Sequence, residues 1–111
     1  MLKKVEEHTK EIPQETRLII AALDNPVRQA ILALLKEKKE QSFSDMQKEF
    51  GIEKLTLNFH LKKLFSSALI DHYYKHEIGK QKYSFYSITP LGRRILNSLI
   101  NALVPPVVQE E

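Results

Sequence analysis

Apolar residues recur along this chain at two different periods, and the changes of period mark its elements. Between Glu53 and Leu69, read at about 100° per residue, Leu57, Leu61, Leu64 and Ala68 fall on one narrow stripe. Leu55, Phe59, Lys62, Lys63 and Ser66 fall on the opposite side. The stretch is expected to be a helix with one side in a core and the other displayed. Upstream, residues 1–14 are charged with scattered apolar positions, and Pro13 interrupts any helix there, so an arm is expected that is frayed or ordered only by a partner. Glu15 to Leu23 reads as a short helix, apolar nearly all round, which needs cover on more than one side. Asp24-Asn25-Pro26 is a cap followed by a first-turn proline. It opens a helix with Val27, Ala30, Ile31, Leu34 and Leu35 on one face and Lys36-Glu-Lys-Lys-Glu40 ending it in solvent.

Ser42-Phe43 is expected to be extended, with Ser44-Asp-Met-Gln47 as the capping box of a short helix that carries Met46 and Phe50 inward. Gly51 ends that helix in the left-handed region, and Ile52 follows inward. From Ile70 to His76 and again from Lys82 to Ile88 the pattern alternates, which predicts two strands joined through Glu77-Ile-Gly-Lys-Gln81. Thr89-Pro90 repeats the cap-and-proline start and opens a last helix through Leu91, Ile95, Leu96, Leu99, Ile100 and Leu103, stopped by Pro105-Pro106. The fold class is therefore mainly α with a small β-hairpin, in the order α-α-β-α-α-β-β-α of a winged helix-turn-helix. The expected organisation is an arm over 1–14, one domain over 15–104 and a tail over 105–111.

Composition adds bounds to this outline. A chain of 111 residues, 42% hydrophobic, has material for one core. A net charge of +3 and a pI near 9.1 are only mildly basic, but the charge is unevenly spread. From Lys54 to Arg94 eight lysines and arginines face two acidic residues, a surplus of six that leaves the remainder at −3. Without cysteine, disulfides and thiolate metal sites are excluded. No apolar run approaches the ~18 residues of a membrane span, and the first residues do not read as a signal peptide. A cytoplasmic protein is expected.

The displayed side of 53–69 sets Lys62 and Lys63 beside Phe59 and Asn58, a mixture suited to phosphates and base edges. Lys54, Leu55, Thr56, Asn58, Phe59, Lys62 and Lys63 are the DNA-contact candidates on this helix. Lys80 and Lys82 join them at the hairpin, whose 76–82 segment would reach the adjacent minor groove or phosphates. Arg93 and Arg94 sit in the first turns of the last helix, where the macrodipole disfavours cations; a phosphate clamp and an inter-subunit ion pair both account for them. His60 borders the core stripe. His72 and His76 lie about 13 Å apart along a strand at ~3.3 Å per residue, too far to share a metal. Structural roles are expected for all three. No cofactor is implied, and no arrangement for nucleophilic, metal-assisted or general acid–base catalysis emerges, so an enzyme is not expected.

Three motifs resemble the ArsR-like winged helix-turn-helix transcriptional regulators. Asn25-Pro-Val-Arg-Gln-Ala-Ile-Leu-Ala-Leu-Leu35 resembles their second helix, Leu55-Thr-Leu-Asn-Phe-His-Leu-Lys-Lys-Leu64 their recognition helix, and Tyr86-Ser-Ile-Thr-Pro-Leu-Gly92 the passage that leaves the wing. The resemblance covers roughly residues 16 to 100. It implies a homodimeric DNA-binding repressor or activator with its two recognition helices in successive major grooves, and structural roles for Arg28 and His60. The chain departs from the family at Asn58, where serine is usual, and at Ser42-Phe-Ser-Asp-Met46, where metal sensors of the family carry paired cysteines. Thiolate sensing does not transfer, and no small-molecule effector is identifiable. Leu18, Ile19, Ala22, Leu96, Leu99, Ile100 and Leu103 exceed what a lone domain of this size covers and are the candidates for a two-fold interface. The alternative function is a winged-helix module that docks on another protein without reading DNA.

Overall fold

A computed structural model describes residues 3–76 and 83–105. The elements are α1 (Lys3–Thr9), α2 (Gln14–Leu23), α3 (Pro26–Glu37), β1 (Gln41–Ser42), α4 (Phe43–Phe50), α5 (Lys54–Ser66), β2 (Ile70–Lys75), β3 (Tyr83–Ile88) and α6 (Pro90–Asn101). The order is that of a winged helix-turn-helix preceded by one further helix. That helix lies within the expected N-terminal arm of 1–14. Residues 3–9 are helical, and Thr9 closes the helix by donating its hydroxyl to the Val5 carbonyl at 3.0 Å. Pro13 still separates it from α2.

The local signals act as their chemistry requires. The Asn25 side chain accepts from the backbone N–H groups of Val27 and Arg28 at 2.8 and 3.2 Å, with Pro26 as the first helical residue. Thr89 accepts from Gly92 N–H at 2.9 Å, with Pro90 in the same position. Gly51 has φ +60° and ends α4. The cap of α4 differs from expectation. Ser42, rather than Ser44, accepts from Asp45 N–H at 3.0 Å, and Phe43 is already helical. Pairing of Gln41 with Tyr86 and of Ser42 with Phe85 holds the chain in the sheet up to Ser42, so the helix starts as soon as the strand ends.

The three strands form one antiparallel sheet in the order β1-β3-β2. Ile70 faces Ile88, His72 faces Tyr86 and Tyr74 faces Ser84, which fixes which side chains share the face turned toward α5. The core is built from Ala22, Ile31, Leu32, Leu35, Met46, Leu57, Leu61, Leu64, Leu69, Ile70, Tyr86 and Leu96, all buried. Two expectations are corrected by this list. Ala22 and Leu96, assigned to a two-fold interface from the sequence, are sealed inside the protomer's own core. Ala68 is also off the core stripe: α5 stops at Ser66, and Ala68 is exposed at φ +62°. Leu69 takes the buried position instead.

Candidate nucleic-acid interface

Helix α5 divides as its sequence period requires. Leu57, Leu61 and Leu64 are fully buried or nearly so, packed where α5 meets α2, α3 and β2. Lys54, Leu55, Thr56, Phe59, Lys62 and Lys63 are exposed on the other side and Asn58 is half-buried between them. Leu55 is 72% exposed and Phe59 54%, large values for apolar side chains that a core would claim. Lys63 Nζ stands 5.6 Å from the centroid of the Phe59 ring, a cation–π contact that holds the aromatic outward. Neither Lys62 nor Lys63 is in an ion pair among the described residues.

A buried polar contact sets the rotation of α5. Arg28 Nη1 donates to His60 Nδ1 at 3.0 Å, so the imidazole accepts there and carries its proton on Nε2. The same guanidinium donates from Nε to the Ala22 carbonyl at 2.6 Å and from Nη2 to the Ala21 carbonyl at 3.3 Å. It thereby satisfies carbonyls that the last turn of α2 leaves without helical partners. Burial, and secondarily the Arg28 charge, hold the His60 pKa below its ordinary value. Both residues take the structural roles that the resemblance implied.

The hairpin braces the other flank. His72 stacks on Tyr86, with centroids 4.5 Å apart and planes 6° from parallel, and its Nε2 lies 3.2 Å from Ser84 Oγ. Phe65 meets His72 edge-on. Burial lowers the His72 pKa. On the opposite face of the sheet, Tyr73 and Lys75 both donate to the Glu40 carboxylate. These bonds hold Glu40 below the usual carboxylate range, while burial and the bond to Glu40 push Tyr73 up to about 12. Between α5 and the sheet runs a groove lined by Lys54, Leu55, Asn58, Tyr74, Tyr83 and Ser84, among others. Tyr74, Tyr83 and Ser84 were not singled out from the sequence. The alternation that set Tyr74 beside His72 was the available signal, but the partner of each position needed the register.

Lys80 and Lys82 lie outside the described residues, as does most of the 76–82 segment. Arg93 and Arg94 are exposed on α6 beside Pro90, Asn97, Ser98 and Asn101, and neither makes an ion pair within the protomer among the described residues. Leu18, Leu99, Ile100 and Leu103 remain exposed, Leu103 at 96%; Ile19 is half-buried against the core. No group of three or more His, Asp or Glu side chains is placed to hold a metal among the described residues. No single helix there is long and apolar enough to cross a membrane.

This geometry agrees with comparisons to known proteins. A family model described as a helix-turn-helix domain matches residues 23–73, from the end of α2 into β2. An uncharacterized protein of Methanocaldococcus jannaschii is 35% identical over 81 residues, which are 71% of this chain and 66% of that protein. A transcriptional regulator homologue from Pyrococcus horikoshii superposes with a TM-score of 0.68 at 25% identity, over 82% of this chain and 91% of that one. Bacillus subtilis PadR, solved in complex with operator DNA, has a TM-score of 0.61 at 23% identity, over 78% of this chain and 54% of its own. The chain carries a helix-turn-helix domain over residues 23–73 and shares the winged helix-turn-helix fold of these regulators.

Proposed function

We propose that this chain is a sequence-specific double-stranded DNA-binding transcriptional regulator that acts as a homodimer. The observation that carries the reading is the outward face of α5, where unpaired lysines flank an exposed aromatic and an amide while the opposite face is sealed in the core. Lysines there neutralise phosphates, and Asn58, Thr56, Leu55 and Phe59 supply a base-edge amide and apolar contacts for thymine methyl groups in the major groove. Lys54, at the helix start, joins the phosphate contacts, and Lys80 and Lys82 extend them along the hairpin. The presence of operator DNA on the PadR fold supports this reading.

The two-fold partner is a second copy. Leu99, Ile100 and Leu103 present an uncovered apolar surface on and just beyond α6, with Leu18 and the open edge of Ile19 on α2 as further contributors. A dimer places two copies of α5 at the spacing of a palindromic site. The test is a salt titration on a DNA fragment selected from genomic DNA with the purified protein. Log affinity should fall linearly with log salt, and Lys62→Ala and Lys63→Ala should each flatten the slope by roughly one counterion. An unchanged slope and affinity in the double variant would remove α5 from the interface.

A further inference from the structure

The cleft between α2 and α5 carries a feature that DNA contact does not require. It has a volume of about 370 Å³ and is lined by Leu18 and Ala21 of α2 and by Phe59, Lys62, Lys63 and Ser66 of α5, among others. No acidic residue lines it, and neither lysine has an anionic partner among the described residues. The Arg28 guanidinium on its inner wall is committed to the Ala21 and Ala22 carbonyls and to His60. An apolar cavity with a few convergent polar groups at one end is the usual form of a small-molecule site. Here the lining includes the cations Lys62 and Lys63 beside the Ser66 and Ser67 hydroxyls, so the complementary ligand has an apolar body and an anionic head. That volume lies at the small end of the range of ligand pockets, about 300–1,000 Å³.

We infer that the cleft between α2 and α5 binds a medium-chain aliphatic carboxylate whose head pairs with Lys62 and Lys63, and that this binding competes with DNA. The competitive half rests on the proposed function, because it assigns to the same two lysines the phosphate contacts that the carboxylate would take. The apolar chain lies along Leu18, Ala21 and the Phe59 ring, and the head exchanges solvent for charge-assisted hydrogen bonds from the ammonium groups. A carboxylate bound there holds Phe59 and both lysines against α2, so a phosphate backbone meets a neutralised face.

Decanoate, a medium-chain aliphatic carboxylate, is the probe, titrated calorimetrically into the full chain without DNA and below the concentration at which it self-associates. Saturable binding at one decanoate per protomer is expected, with acetate and decyltrimethylammonium failing to bind. Ala21→Phe, an exposed position of α2 outside the DNA-contacting set, fills the cleft and should weaken decanoate by at least about tenfold while leaving DNA affinity unchanged. Lys62→Gln with Lys63→Gln should weaken it to a similar degree. Absence of saturable binding, or equal binding to the Ala21→Phe variant, overturns the site. Loss of dimer by sedimentation in that variant, with no decanoate bound to the native chain, would assign the cleft to a second copy and also overturn it. DNA titrations with and without decanoate form the second arm. Decanoate that binds without raising the apparent Kd for DNA overturns the competition alone. Failure of DNA binding in the absence of decanoate would overturn the proposed function and leave the carboxylate site standing.

Discussion

The two ends of α5 are held in opposite ways. At its start Glu53 has the extended backbone of a cap but makes no side-chain capping bond, and Lys54, Leu55 and Thr56 are exposed. At its end nearly every polar backbone group is engaged. Ser67 Oγ donates to the Lys63 and Leu64 carbonyls, Ala68 N–H donates to Phe65 and Leu69 N–H to Leu64, both at 3.0 Å. That is the Schellman pairing, here with alanine in the left-handed position where glycine is usual. The loop is then tied to α6, because Thr89 donates its hydroxyl to the Ala68 carbonyl at 2.7 Å and its N–H to the Leu69 carbonyl at 3.1 Å. A helix fixed at its far end and open at its near end is suited to presenting its first turns to a partner while the fold fixes its direction.

Gly92 shows how tightly the far end is closed. A Cβ built there would lie 2.1 Å from the Leu69 carbonyl oxygen and 3.0 Å from Ile88 Cγ1, so α6 approaches the end of α5 at a distance only glycine permits. Gly92→Ala should therefore have the largest effect of those that break the contrast between the ends. The clash is with backbone, and overpacking of this kind costs about 1–3 kcal/mol or more. Thermal unfolding should fall by roughly 10 °C for a domain of this size. A melting temperature within a degree or two of the native chain would show that α6 does not clamp α5.

Ala68→Gly sharpens the same contrast with the opposite sign. A left-handed alanine costs about 1–2 kcal/mol, and the greater freedom of glycine in the unfolded chain returns about 0.4–1 kcal/mol of that. The expected gain in urea-unfolding free energy is then about 0.5–1 kcal/mol, with the Thr89 bonds intact. A loss of stability would mean that the Ala68 methyl is packed, against its observed exposure. At the open end, Glu53→Asp keeps the charge and shortens the side chain to cap length. A good cap is worth about 0.5–1 kcal/mol, and the gain should appear as slower amide exchange at Leu55 and Thr56 without change at Ser67 or Leu69. Equal protection at both ends would erase the asymmetry.

The asymmetry was half visible in the sequence. The stripe of Leu57, Leu61 and Leu64, the Asn25-Pro26 and Thr89-Pro90 starts and the Gly51 stop are local signals, and local chemistry decides them. Glu53 is a poor cap by residue type alone. The far end depends on contacts that no local pattern carries: Ala68 in a glycine conformation, and Gly92 set against Leu69 across the fold. Ser42 replaced Ser44 as a cap because the pairing of β1 with β3 determines where the helix can start. Ala22 and Leu96 were assigned to an interface because hydrophobic periodicity reports that a residue is covered without reporting what covers it. For the candidate DNA-binding face the outward positions of α5 were legible at helical period, whereas Tyr74, Tyr83 and Ser84 entered through strand register.

The smallest effect near neutral pH concerns the middle of α5, between its two contrasting ends. His60 accepts from Arg28 while buried, and its pKa is lowered, first by desolvation and then by the Arg28 charge. In the unfolded chain the imidazole protonates near its ordinary value of about 6.5. Below that pH the unfolded state therefore binds a proton that the folded state resists, and stability falls with falling pH. The contribution is fully present above about pH 6.5 and is lost as pH drops toward the lowered folded value. His72 acts in the same direction, so the two must be separated by substitution. Glu40, whose carboxyl is held low, contributes only at more acidic pH, below its ordinary 4.5. His60→Gln keeps a carbonyl acceptor for Arg28 and removes the titration. Urea midpoints between pH 7.5 and 5 should accordingly decline less in that variant than in the native chain, with the difference confined to the range below about 6.5. A matching decline in both would assign the acid sensitivity to the hairpin, and the Arg28–His60 contact would then hold α5 in register without responding to pH.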